Sequence, residues 1–237
     1  SFDALANYSG ASVTFTGTDD PQPSSAELVA PSYFATLGVR PVHGRLFSAD
    51  EDGAPGAHPV TLISEELFEN RFGGRDSTVG SVIGVNGVQL TVIGVLPRGF
   101  RGMTGVAQLW MPASMAPLVS YSEYLTSNQN FISVVSRLKP NVTLLRAQSE
   151  MAVLSAQIQS AQRSTGTDST VVMSATAVTL NQARITPAAR RSAYALLAAV
   201  ALLHLLACAN VASLLLGRAA ARRRARAGRQ GAPRARG

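Results

Sequence analysis

The stretch Ala193 to Gly217 (AYALLAAVALLHLLACANVASLLLG) constrains this chain more than any other, because it carries no formal charge over 25 residues. A helix of that length is roughly 37 Å long, enough to cross a hydrocarbon core of about 30 Å with some tilt. Buried helices of soluble domains seldom stay apolar for so long. This one also runs into eight arginines between Arg218 and Arg236 with no acid among them. The stretch therefore reads as a membrane span, bounded at 187–217, with Pro187 suited to its first helical position. His204 and Asn210 are its costly residues. Nine leucines at about −0.5 kcal/mol each offset one neutral histidine. A proton relay would need acidic partners that the span lacks, so His204 is expected to pack or to be tolerated. Asn210 is expected to hydrogen-bond across helices.

The net charge of +7 belongs to the end of the chain. The eight arginines after Gly217 account for +8, so residues 1–217 sum to −1, and residues 1–168 hold all 14 acids against 10 Lys and Arg, a net −4. A basic protein with this distribution is not a nucleic-acid binder: no aromatic residue is interleaved with the arginines. Positive charge beside a span marks its cytoplasmic end. Arg218, Arg222, Arg223 and Arg224 are thus expected to set the topology, with 218–237 as a cytoplasmic tail and residues 1–190 outside. Arg184, Arg190 and Arg191 flank the other end, a bias of eight against three. The one cysteine, Cys208, lies inside the span, so the outer domain, bounded at 1–186, must rely on a core of its own. No secretory signal opens the chain, and the expectation is that the sequence begins mid-protein.

Along residues 1–186 the pattern is mixed. Ser12 to Thr16, Ser25 to Ala30, Val60 to Ile63, Gln108 to Met111, Phe131 to Leu138 and Thr170 to Val178 read as strands. Pro31 to Gly38 reads as a short helix closed by glycine. Ser64 caps a helix that Gly73-Gly74 ends. Ser48 to Pro59 is loop by composition, and Ala113 to Asn130 is open between helix and loop. Asn86-Gly87 between β-branched runs predicts a two-residue type I′ hairpin. It pairs Val85 with Val88 and Ile83 with Leu90, and puts those four and Val92 on one face. Asn141 or Thr143 caps a helix to about Arg163, whose Leu144, Ala147, Met151, Leu154, Ile158 and Ala161 form one buried stripe. The expected fold class is α+β: a mixed-sheet extracytoplasmic domain followed by one transmembrane α-helix.

No catalytic, cofactor-binding or metal site emerges. His43 and His58 bracket Asp50, Glu51 and Asp52 without the fixed spacing a metal site needs, so a solvated acidic loop is expected. Walker and nucleophile-elbow motifs are missing, and the glycines around Asn86 belong to the hairpin.

The stretches APSYFATLGVRPVHGRLF (Ala30–Phe47), LISEELFENRFGG (Leu62–Gly74), VGSVIGVNGVQLTVIGVLPRGFRG (Val79–Gly102), LWMP (Leu109–Pro112) and VVSRLKPNVTLLRAQSEM (Val134–Met151) closely resemble the MacB-like periplasmic core domain. The segment Leu205–Arg224 resembles the start of the FtsX-like permease domain, and the nearest subgroup is the duplicated orphan permeases. The resemblance implies a non-catalytic permease subunit of a type VII ABC transporter in the bacterial inner membrane. Its periplasmic domain would be coupled by mechanotransmission to a separate ABC ATPase. It also implies other permease helices or a second permease copy as partners, besides the lipid bilayer and a periplasmic partner. Ala209, Asn210, Ser213 and Gly217 are the expected helix-packing positions, three of them small residues spaced by four. The family continues with a coupling helix bearing large apolar residues, whereas Ala225 to Gly237 has none, so a gene end, a truncation or a frame change is expected there. The alternative is a single-pass anchored periplasmic binding or scaffold protein acting without an ATPase.

Overall fold

A computed structural model describes residues 1–16, 21–126, 132–164, 175–184, 191–210 and 212. The chain forms two compact units, Ser1–Leu180 and Asn181–Gly237.

The first unit is built on strands β1 (Phe2–Thr16), β2 (Pro23–Val29), β3 (His43–Gly44), β4 (Val60–Ser64), β5 (Val82–Val85), β6 (Val88–Leu96), β7 (Leu109–Pro112) and β8 (Ser133–Leu138). Its helices are α1 (Tyr33–Leu37), α2 (Glu65–Phe72), α3 (Ala116–Val119) and α4 (Leu144–Ser164). Pairings run β2–β7–β4–β6–β5–β1 and return to β2, with β8 on β1 and β3 on β6 outside the ring. The pairs β2–β7 and β4–β6 are parallel and the others antiparallel. The sheet is therefore mixed, as expected for an α+β chain.

Closure gives the sheet two buried faces. All six ring strands contribute to one cluster, from Val13 and Phe15 through Leu28, Ile63, Val85 and Leu90 to Met111, which α2 and α3 complete with Phe68 and Val119. The opposite faces of these strands, with α1, gather Tyr33, Phe34, Leu62, Leu96 and Trp110 into a second cluster. Strands buried on both sides lose simple alternation. β1 also changes allegiance along its length: Ala6 and Tyr8 belong to the second cluster, Ala11, Val13 and Phe15 to the first. That explains why only Ser12 to Thr16 reads as a strand, although β1 extends back to Phe2. A similar change occurs on β6, where Thr61 pairs with Val92 but Leu62 with Gly94. The extra residue, Ile93, is a bulge that lets Val92 and Val95 face the same core.

The hairpin follows its turn chemistry. Asn86 and Gly87 have φ of 49° and 82°, Val85 pairs with Val88 and Ile83 with Leu90. All four pack with Val92 in the first cluster. Ser64 Oγ accepts from Leu67 N at 3.2 Å and Gly73 closes α2 in the left-handed region. Gly38 closes α1 likewise. Ala113 to Asn130 begins with a 3-10 turn, Ala113–Met115, and α3. α4 is capped by Thr143, whose Oγ1 accepts from Arg146 N at 3.3 Å.

Three expectations need correction. Of the α4 stripe only Ala147 is fully buried, and Leu154 and Ile158 are 46% and 45% exposed. The helix has the right period, but along its 21 residues no strand or other helix among the described residues packs against it extensively. Ala175 to Val178 is not a strand in the described part of Thr170–Val178. It lies along α4, where Ser155 Oγ accepts from Ala175 N (2.9 Å) and Gln148 Nε2 donates to Ala177 O (2.8 Å). The acidic loop is not simply solvated. Glu51 is 6% exposed, takes two hydrogen bonds from Arg45 (2.9 and 2.7 Å), and forms a capping box with Ser48. Asp52 Oδ1 accepts from Ser114 N at 2.7 Å. The signature Ser48-x-x-Glu51 is legible as a box in sequence.

Arg45 and the Ser48 backbone hold the Glu51 carboxyl down at about 2, against 4.5 for the free group. Its stabilisation is complete above pH ~4.5 and is lost as pH falls toward 2. Urea midpoints should therefore drop between pH 6 and pH 3 by the equivalent of roughly 1–2 kcal/mol, discounted because Arg45 is exposed. Glu51→Gln should flatten that part of the pH profile. An equal drop in this variant would assign the acid sensitivity elsewhere.

In the second unit, α5 (Leu180–Arg184) starts at the boundary and α6 (Arg191–Asn210) follows. α6 is one helix among the described residues that is long and apolar enough to span a bilayer, and its leucines are exposed. Ala209 and Asn210 lie on it. Pro187, Ser213, Gly217, Arg218, Arg222, Arg223 and Arg224 fall outside the described residues, so their assigned roles stay expectations.

Candidate functional site

The first unit concentrates its buried polar chemistry beneath the loop from Pro97 to Gln108, which joins β6 to β7. Within this loop Gly99, Gly102 and Gly105 have φ of 79°, 68° and 77°. A β-carbon on Gly102 would lie 2.1 Å from Glu27 Oε2, so the backbone approaches that carboxylate as only glycine allows.

Glu27 stands on β2 between Ala26 and Leu28, which face the first core, and so points to the side of Val29 in the second. It is fully buried. Its carboxylate accepts from Tyr33 Oη at 2.7 Å, Trp110 Nε1 at 3.0 Å and Thr104 N at 2.6 Å. All three contacts are donations to a carboxylate oxygen, so each of the three donors is satisfied. Tyr33 Oη in turn accepts from Met103 N at 2.8 Å. Burial and the adjacent carboxylate push the Tyr33 phenol above its usual range, so it stays a donor. Phe100 stacks on Trp110 with ring centroids 5.4 Å apart, closing the loop over the second core.

The outer side of the loop is tied to α2. Arg98 pairs with Glu69 and lies 3.8 Å from Glu65, Arg101 lies 3.6 Å from Glu66, and Gly99 N donates to Glu66 Oε1 at 3.3 Å. These exposed pairs contribute little each. The buried triad of donors on Glu27 is what fixes the loop. Such an arrangement offers function a rigid, precisely shaped surface, with Thr104, Gly105 and Val106 at its exposed crest. Glu27 was not singled out by sequence reasoning. The signal available was an acid between Ala26 and Leu28 that shares its face of the strand with the apolar Val29.

The histidines do not converge on this network. His43 lies 3.9 Å from Asp76 Oδ1 and tilts over the Phe68 ring, while His58 sits in the loop before β4. His204 and Cys208 lie on α6.

The family model of the MacB-like periplasmic core domain matches residues 2–154. The solved periplasmic region of MacB from Actinobacillus actinomycetemcomitans superposes with a TM-score of 0.53 at 15% identity, covering 72% of this chain and 78% of that one. The extracellular domain of the noncanonic ABC-type transporter YknZ from Gram-positive bacteria superposes with a TM-score of 0.53 at 17% identity, covering 67% and 77%. At these identities the likeness is one of fold. No curated protein matches the chain by sequence.

Proposed function

The chain belongs to the MacB-like periplasmic core domain family, and on that premise we propose that it is a non-catalytic subunit of an ABC-type permease. The reading is carried by one observation: the family module at residues 2–154 shares a chain with α6, a helix fit to cross a membrane. In this reading the module lies outside the inner membrane, α6 spans it, and the arginines after Gly217 stay cytoplasmic. A separate ATPase drives the membrane helices, and the module receives their movement. The clamped loop above Glu27 supports such a role, because a lever must move as a body. In this reading Ala209, Asn210, Ser213 and Gly217 are the positions by which the membrane span meets other permease helices or a second copy.

Affinity capture of the full chain from native membranes tests this. The expected result is an ABC ATPase in the eluate, lost when residues 218–237 are removed. A chain that inserts with its module outside yet captures no ATPase would mark it as an anchored scaffold.

A further inference from the structure

Asn86 does more than open the hairpin turn. Its backbone N donates to Thr14 O at 2.9 Å, and its side-chain Oδ1 accepts from Thr14 N at 2.8 Å. Its Nδ2 donates to Val119 O at 2.7 Å, at the C-terminal end of α3. One amide thus ties three segments together: the β5–β6 turn, β1 and α3. A donor at one end and a carbonyl at the other fix which atom is Oδ1 and which is Nδ2. A helix leaves its last carbonyls without intrahelical partners, and Asn86 supplies one for α3. That helix helps to cover the first core, with Ala116 and Val119 buried in it.

The residue that makes this tie is also chemically labile. Asparagine is a thermolabile residue, and it is most open to attack by the next backbone nitrogen when that residue is glycine. Gly87 has no side chain to hinder its nitrogen. Attack of Gly87 N on Asn86 Cγ forms a C–N bond while the Cγ–Nδ2 bond breaks. The Gly87 N–H proton passes to solvent and Nδ2 leaves as ammonia, so nothing is oxidised or reduced. Water then opens the cyclic imide at either carbonyl and gives aspartate or isoaspartate. The net change is one water taken up and one ammonia released.

In the folded chain every group this step needs is engaged. Both ends of the Asn86 amide are held, and Gly87 N donates to Thr16 Oγ1 at 3.1 Å. Attack needs nitrogen and Cγ in a near-attack arrangement, so the amide must first leave Val119 and Thr14. The product cannot restore the tie. One aspartate oxygen still accepts from Thr14 N, but the other has no hydrogen to give Val119 O. Two acceptors then face each other where a 2.7 Å bond stood. Isoaspartate also adds a methylene to a turn whose type depends on its length.

We propose that Asn86 is a fold-guarded deamidation site, opened when α3 lifts from the hairpin and acting as a one-way release of α3. The proposal concerns the module itself and does not depend on an ATPase partner.

The test keeps the full chain in neutral nanodiscs at mildly alkaline pH and follows Asn86 by peptide mapping that resolves isoaspartate. Asn86 should react about tenfold more slowly than in the same chain unfolded in urea with detergent. Val119→Ala weakens the packing of α3 and should speed the folded-state reaction about threefold. Val135→Ala removes the same carbons from the second core and should leave the rate near that of the parent chain. This pair separates lifting of α3 from opening of the whole unit. Asn86→Asp should speed hydrogen exchange about tenfold in residues 113–120 and leave residues 97–108 unchanged. Equal rates in the folded and unfolded chain, equal rates in Val119→Ala and Val135→Ala, or unchanged exchange at 113–120 in Asn86→Asp would overturn the proposal.

Discussion

Replacing Glu27 by alanine is expected to lower the stability of the first unit by about 3–5 kcal/mol, a large part of the 5–15 kcal/mol typical of a domain. The loss has two sources. Three hydrogen bonds to one carboxylate disappear, and at least two of the donors cannot turn away: Trp110 Nε1 sits in a fully buried ring, and Thr104 N belongs to a backbone fixed by Gly102. A buried donor left without a partner costs about 1–3 kcal/mol. Glu27→Gln keeps the shape and one acceptor oxygen but sets an amide N–H against a donor, so about 1–3 kcal/mol is expected. Thermal unfolding followed by Trp110, the one tryptophan of the chain, reads both variants. A melting point roughly 10 °C lower is expected for the alanine variant. Faster hydrogen exchange should appear first in residues 97–108. If alanine cost under ~1 kcal/mol, the network would be incidental to the fold.

Gly44→Ala is the second large effect, about 3 kcal/mol or more. Gly44 has φ of 71° and pairs with Gly94 opposite the bulge of β6. A β-carbon there would stand 2.2 Å from Ile93 O and 2.8 Å from Gly94 Cα, both backbone atoms that cannot swing aside. The left-handed conformation costs about 1–2 kcal/mol for a residue with a β-carbon, and the overlap adds about 1–3. Gly87→Ala separates these terms. Its φ is 82°, but nothing lies within 4 Å of the added carbon, so only the conformational cost of about 1 kcal/mol remains. Equal losses in the two variants would mean that the backbone at Gly44 relaxes, and the close approach would not be a constraint.

Much of the fold was legible where a local rule and a pattern agreed. The hairpin at Asn86-Gly87, the Ser64 cap and the stop at Gly73 each depend on residues within a few positions of one another. The family motifs likewise mark the module in sequence, and the family model covers residues 2–154. Legibility ended where a residue's role depends on a distant chain segment. The ends of β1 were hidden because the strand serves two cores in turn. The α4 stripe is largely exposed because periodicity shows which face could be buried, not what is available to cover it. Glu51 reads as solvated in sequence although the capping box spans only four residues, since its second partner, Arg45, is found only by closing the loop.

From the sequence alone came the apolar span, the placing of positive charge after it, the hairpin register and the family of the outer module. These follow from composition and from contacts short along the chain, which carry their geometry with them. Tertiary structure decided the rest. It alone joined Glu27 to Trp110, 83 positions away, placed Gly44 against the bulge at Ile93, and set Arg71 over Phe15. In each case the energy comes from excluding water or space between segments remote in sequence, and no local pattern records which remote segment will arrive.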